Sequence, residues 1–133
     1  MSQPSQFQLS TEQYLTATHY ISGSVADVAF WTAPVDCEVV GIREVHATAG
    51  SDGGAVTGTI RRCQGTEAAT AGDDLLGTTK INFKGTALTE QTPALTGTTA
   101  SLKLDAGDRL SLDVTGTTTS LAGVIVTVLL KRI

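Results

Sequence analysis

An all-β fold, a single sandwich of about eight strands with jelly-roll topology preferred over an immunoglobulin-like order, follows from three features of this 133-residue chain. They are its threonine and glycine content, its scarcity of aromatic and charged residues, and the spacing of its turn signals. Threonine occurs 22 times and glycine 14 times. A branched Cβ packs well on a pleated surface, whereas glycine interrupts strands and supplies turns. Aromatic residues make up 5% and charged residues 17% against a hydrophobic fraction of 41%, so Val, Leu, Ile, Ala and Thr must fill the core. The dipeptide Gly-Thr begins at positions 58, 65, 77, 85, 97 and 116. Those intervals are too irregular for a solenoid, but most lie near the strand-plus-turn repeat of about 8–12 residues in a sandwich or barrel. A chain of this length makes one domain with a core of its own.

The elements follow in order. Residues 1–16 (MSQPSQFQLSTEQYLT) are rich in Gln and Ser, hold no sustained period of two, and read as an extended N-terminal arm ahead of a domain at 17–133. Val25–Trp31 forms a strand that Pro34 ends, with Trp31 directed to the core. Cys37–Thr48 breaks strict alternation at Val39, Val40 and Gly41, which predicts a bulge at the glycine. Val56 and Ile60 alternate with Thr57, Thr59 and Arg61, and Ile81 and Phe83 alternate with polar neighbours, giving two further strands. Residues 48–55 and 64–74 concentrate turn-forming residues and read as loops, with a single helical turn capped by Asp73 as the one possible helix. Ser101–Asp105 and Asp108–Val114 each alternate, and Ala106-Gly107 between them predicts a hairpin. Leu121–Leu130 (LAGVIVTVLL) is apolar at successive positions, the pattern of a central strand covered on both faces.

Charge and composition exclude several functions. The net charge is -4, the first basic residue is Arg43, and Glu12, Asp27, Asp36 and Glu38 precede it. Without a basic face there is nothing to neutralise phosphates, so nucleic acid is not an expected partner. The longest apolar run, Leu121–Leu130, is too short for a helix to span a bilayer, and Met1–Ser10 has neither the basic start nor the apolar stretch of a signal peptide. A cytoplasmic site of synthesis is the expectation, and in that reducing compartment Cys37 and Cys63 are expected as two buried free thiols.

No catalytic motif stands out, and the expectation is a protein that is not an enzyme and uses no cofactor. His19 and His46 are the only histidines; His46 is read more simply as a hydrogen-bonded structural residue than as a base or metal ligand, and His19, which flanks the arm, has a weaker case still. Two cysteines 26 positions apart lack the close pairing of a structural zinc site, so no metal is expected. Asp73-Asp74 and the trio Asp105, Asp108 and Asp113 supply carboxylates for glycoside chemistry, but the aromatic platforms that chemistry favours are scarce. The run Gly50–Gly54 (GSDGG) lacks the GK[ST] ending of a phosphate loop and reads as a turn.

Three stretches carry a resemblance to a known group: FWTAPVDCEVVGIREVHATAGSDGGAVT (30–57), QGTEAATAGDDLL (64–76) and LKLDAGDRLSLDVTGTTTSLAGVIVTVLL (102–130). In overall pattern, over about three quarters of the chain, they resemble small capsid decoration (cement) proteins of tailed bacteriophages. The resemblance implies a jelly-roll sandwich, often a homotrimer, that binds the major capsid protein on the outer surface of an assembled head and clamps neighbouring capsomers. It implies a place in the virion, reached by assembly in the host cytoplasm. In such a protein the arm would lie across a neighbour, with Phe7, Leu9, Tyr14 and Leu15 as anchors and Gln3, Gln6 and Gln8 as hydrogen-bonding groups. An alternative within the same fold is a tail or fibre head domain that binds a host receptor or glycan.

Overall fold

A computed structural model describes residues 13–133 of the chain, and among them it forms nine strands in two antiparallel sheets, a β-sandwich. The strands are β1 (Tyr14–Ile21), β2 (Val28–Thr32), β3 (Cys37–Thr48), β4 (Thr57–Cys63), β5 (Asp73–Asp74), β6 (Ile81–Asn82), β7 (Lys103–Leu104), β8 (Arg109–Thr115) and β9 (Ala122–Arg132). One sheet has the order β1-β9-β3-β7 and the other β2-β8-β4, with β5 and β6 both pairing on the far edge of β4. Successive strands thus alternate between the sheets except at β4–β5–β6. The core is what this alternation buries: Val39, Ile42, Val124, Val126, Val128 and Leu130 from one sheet meet Ile60, Leu110 and Leu112 from the other, with Phe83 and Ile81 closing one end.

Several expectations meet their outcome in this register. The bulge expected at Gly41 is present as a register shift between Val39 and Gly41 against Leu130 and Leu129. It keeps Val39 and Ile42 both facing the core although they are three residues apart. The strand expected at 25–31 forms as β2, with a shift of its own between Ala29 and Trp31 and with Trp31 only half-buried. Cys37 and Cys63 are both buried and free.

Three expectations require correction. Ser101–Asp105 and Asp108–Val114 do not form a hairpin, because β7 pairs with β3 in one sheet while β8 pairs with β2 and β4 in the other. The Ala106-Gly107 joint carries the chain across the sandwich: Gly107 takes φ +97, its N–H donates to Ala33 O at 2.8 Å, and Asp108 N–H donates to Asp105 O at 2.9 Å. Asp73 caps no helical turn; it lies in β5 opposite Arg62, and the only turn of 3-10 helix among the described residues is Thr99–Leu102. Finally, β9 is central in its sheet but covered on one face alone. Val124, Val126, Val128 and Leu130 point inward, while Ile125 and Leu129 remain about two-fifths exposed on the outer face.

Candidate interaction surface

The outer face of the β1-β9-β3 sheet is where this chain departs from an ordinary sandwich. Register places its residues in cross-strand rows. At one end Tyr20, Ile125 and Val45 stand side by side; next come Thr18, Thr127 and Arg43, then Thr16, Leu129 and Gly41 with Val40 at the bulge, and finally Tyr14, Lys131 and Glu38. An antiparallel sheet normally solvates this face with polar side chains. Here Tyr20 is 61% exposed, Tyr14 56% and Val40 41%, alongside Ile125 and Leu129. Neighbouring side chains in a row stand roughly 5 Å apart, so Tyr20, Ile125 and Val45 form one apolar cluster, and the Thr18, Thr127 and Arg43 row separates it from Leu129 and Val40. Contiguous apolar surface rimmed by polar groups marks a site for another macromolecule. Next to Tyr20 the chain forms a shallow open depression lined by Ile21, Ser22, Gly23, Ala26 and Val28, with His19 stacked on Phe30 at a ring separation of 5.0 Å. Burial lowers the affinity of His19 for a second proton.

Of the residues expected to make contacts, Tyr14 and Leu15 belong to β1, opposite Lys131 and Leu130. Tyr14 lies on the outer face and Leu15 packs against the core. The strand therefore begins three residues before residue 17, inside the segment read as the arm. Gln3, Gln6, Phe7, Gln8 and Leu9 lie outside the described residues.

The inner face of β3 carries a buried polar cluster in which His46 is the hydrogen-bonded structural residue expected, while its partner Glu44 is what sequence reading missed. Glu44 and His46 are two apart, hence on the same face, and both are fully buried in phase with Ile42. His46 Nε2 donates to Gly85 O at 2.8 Å, because a carbonyl can only accept. The 2.8 Å contact between His46 Nδ1 and Glu44 Oε2 then carries a single shared proton. Burial pushes the Glu44 carboxyl up, and the hydrogen bonds from His46 and from Gln91 Nε2 (2.8 Å) offset only part of that rise. Backbone bonds fasten the same segment: Glu44 and Gln91 exchange N–H···O bonds, and Leu88 N–H donates to His46 O at 2.8 Å. The cluster is a closed strut that ties residues 85–91 along the outer edge of β3. The signal was present as Glu-x-His on the core-facing phase of an apolar strand.

Of the carboxylates that suggested glycoside chemistry, Asp73, Asp74, Asp108 and Asp113 are engaged in structure, and Asp105 is exposed. Asp113 accepts from Arg61 Nε at 2.7 Å, Asp73 from Arg62 at 2.7 Å, and Asp74 from Lys80 at 2.7 Å and from the Thr59 hydroxyl. Burial alone would raise the Asp74 carboxyl, but Lys80, Thr59 and the Leu76 N–H hold it below its ordinary value. Asp108 accepts from Asp105 N–H and from Gln64. Among the described residues no three His, Cys, Asp or Glu side chains are grouped so as to hold a metal ion, and no helix is long and apolar enough to cross a membrane.

The fold and this surface define a class: a β-sandwich that exposes apolar clusters on one sheet face. No protein-family model and no curated protein matches the chain. Among solved structures, a chain from the cyanophage Pam1 capsid asymmetric unit shares the fold, with a TM-score of 0.50 at 13% identity over 92% of this chain and 85% of that one. A chain from the disulfide-linked pili of Bacillus endospore appendages aligns over 92% and 87% at 16% identity, but its TM-score of 0.29 is too low to bear on the fold.

Proposed function

We propose that this chain is a structural protein of a tailed-phage head, binding the outer surface of the assembled capsid and clamping neighbouring capsomers. The observation that carries this reading is the exposed apolar residues Tyr20, Ile125, Leu129 and Val40 on the outer face of the β1-β9-β3 sheet, on a fold shared with a chain of a phage capsid asymmetric unit. The alternation of strands between sheets, with β5 and β6 standing as one interrupted strand, supports a jelly roll as the finer description. A protein that binds only the assembled lattice adds its binding free energy to lattice stability, and many copies per particle multiply a modest contact. The strut under β3 and the paired carboxylates serve this reading by keeping the sandwich rigid, so that little freedom is lost on docking.

The test is to mix the purified protein with phage heads that lack it and to image the particles. Ordered density on the outer surface, at stoichiometry set by the lattice, is the expected result. Affinity for host cells or glycans without any for capsids would replace this reading with a receptor-binding tail module. Deletion of residues 2–12 tests the arm separately, because it spares the whole of β1. Loss of decoration with retained folding is expected.

A further inference from the structure

Among the described residues nothing guards the β1 edge, the one long sheet edge left open there. Natural sandwiches blunt such edges with charges, proline, bulges, short strands or covering loops. The other edges show these devices. The β3 edge is covered by β7 and then by the backbone bonds to Gln91 and Leu88. The far edge of β4 is closed by β5 and β6, each of two residues, and β2 is short and carries a register shift. By contrast β1 runs eight residues, Tyr14–Ile21 (YLTATHYI), with no Lys, Arg, Asp, Glu, Pro or Gly and an unbroken register against β9.

The parity of its free backbone groups is fixed. Arg132 N–H donates to Gln13 O at 2.8 Å. In an antiparallel ladder bonded residues alternate, so Leu15, Ala17, His19 and Ile21 bond to β9 while Tyr14, Thr16, Thr18 and Tyr20 turn N–H and C=O to the open edge. The same four residues place their side chains on the exposed outer face.

We propose that this edge pairs with the same edge of a second copy, antiparallel about a two-fold axis at Ala17, fusing two four-stranded sheets into one. In that register Thr16 faces Thr18 of the partner copy and Tyr14 faces Tyr20, so every open-edge residue meets an open-edge residue. A two-fold contact must be self-complementary. This one is: threonine meets threonine, tyrosine meets tyrosine, and no charge opposes its like. Cross-strand Thr and aromatic pairs are among the favourable ones in sheets. The pairing also extends each row of the outer face, so that Tyr20, Ile125 and Val45 of one copy continue into Tyr14 of the other. The inference goes beyond capsid binding, and its geometry differs from the three-fold clustering that the resemblance implies.

Sedimentation of the full chain at tens of micromolar, without any capsid, tests it independently of the proposed function. The wild-type protein is expected to have twice the chain mass. The double variants Thr16→Lys/Thr18→Lys and Thr16→Glu/Thr18→Glu place like charges opposite one another and are each expected to sediment as monomers. Mixed in equal amounts they are expected to recover the dimer mass, since every pair is then opposite in charge. Thr18→Pro provides a second route, removing an N–H that serves only the open edge, and is expected to be monomeric with an unchanged circular dichroism spectrum. A wild-type monomer, a trimer, an oligomer whose mass survives these substitutions, or folded charge variants that fail to recombine would each overturn the proposal.

Discussion

The two sheets of this sandwich solve the problem of an outer surface in opposite ways. The β2-β8-β4 sheet dresses itself with charge: Arg61 reaches Asp113 and the Gly72 carbonyl, Arg62 reaches Asp73 and the carbonyls of Ala100 and Lys103, and Lys80 reaches Asp74. One of its edges ends in two strands of two residues and the other in the five-residue β2. The β1-β9-β3 sheet has long strands of eight, eleven and twelve residues, an outer face with exposed apolar clusters and a β1 edge without Lys, Arg, Asp or Glu. Its own polar cluster is turned inward, where no partner can reach it. The difference lies in where polar groups are satisfied: one sheet pairs its charged side chains within the chain, and the other, among the described residues, leaves the β1 edge open.

Breaking the join between the sheets is expected to have the largest effect. Phe83 is fully buried, lies against Gly58 so closely that an added Cβ there would meet its ring at 2.6 Å, and touches His46 edge-on at a centroid distance of 6.4 Å. Phe83→Ala should cost about 4 kcal/mol in denaturant unfolding, the range for a truncated aromatic in a core that cannot collapse. Next comes the inward strut. Glu44→Leu strands His46 Nδ1 and one Gln91 donor, and should cost about 2–3 kcal/mol. Glu44→Gln can donate to His46 and accept from Gln91, so it should retain the fold. The pair of variants also has a pH signature. Because the folded pKa of Glu44 is raised, the native protein keeps a proton there that the unfolded chain releases as pH climbs past about 4.3. At that carboxyl native wild type then holds a proton that the unfolded chain has released, so stability relative to Glu44→Gln should fall with rising pH from that point until the folded carboxyl ionises. Equal slopes in the two proteins would show that Glu44 is ionised throughout. On the charged sheet, Arg61→Ala should cost less, about 1 kcal/mol, because its pair with Asp113 is partly solvated.

How much of this asymmetry was legible in the sequence depends on the range of the interactions involved. The bulge at Gly41 was readable because it is a local fault in alternation. The alternation of Leu102 and Leu104, then of Leu110, Leu112 and Val114, was equally readable. Its pairing was not, because period-two patterning reports which face a residue takes and not which strand lies beside it. Gly107 links the two segments across the sandwich, where a hairpin was the local reading. The outer face was hidden for a related reason. Successive apolar residues in LAGVIVTVLL describe a strand with two apolar faces, and burial of the second is one way to satisfy that, exposure to a partner the other. Of the seven residues expected to make contacts, only Tyr14 and Leu15 fall among those described, and they stand in β1 because Gln13 and the strand after it pair with β9. Tyr20, Ile125, Leu129 and Val40, which make up the surface, carried no signal separable from core patterning.

The smallest expected effect on folding bears most directly on the comparison. Ile125→Thr replaces an apolar side chain on the outer face with one that keeps the branched Cβ of a strand former, and Ile125 sits two-fifths exposed between Tyr20 and Val45. If that face is ordinary solvated surface, little is lost, and unfolding should move by no more than about 0.5 kcal/mol. If the face is a contact surface, the same substitution removes buried area only in the complex, so capsid decoration should weaken while stability does not. Arg61→Ala on the other sheet should show the reverse, losing stability with decoration of folded protein intact. Measured side by side, the two substitutions separate a residue that holds the sandwich together from one that the sandwich holds out.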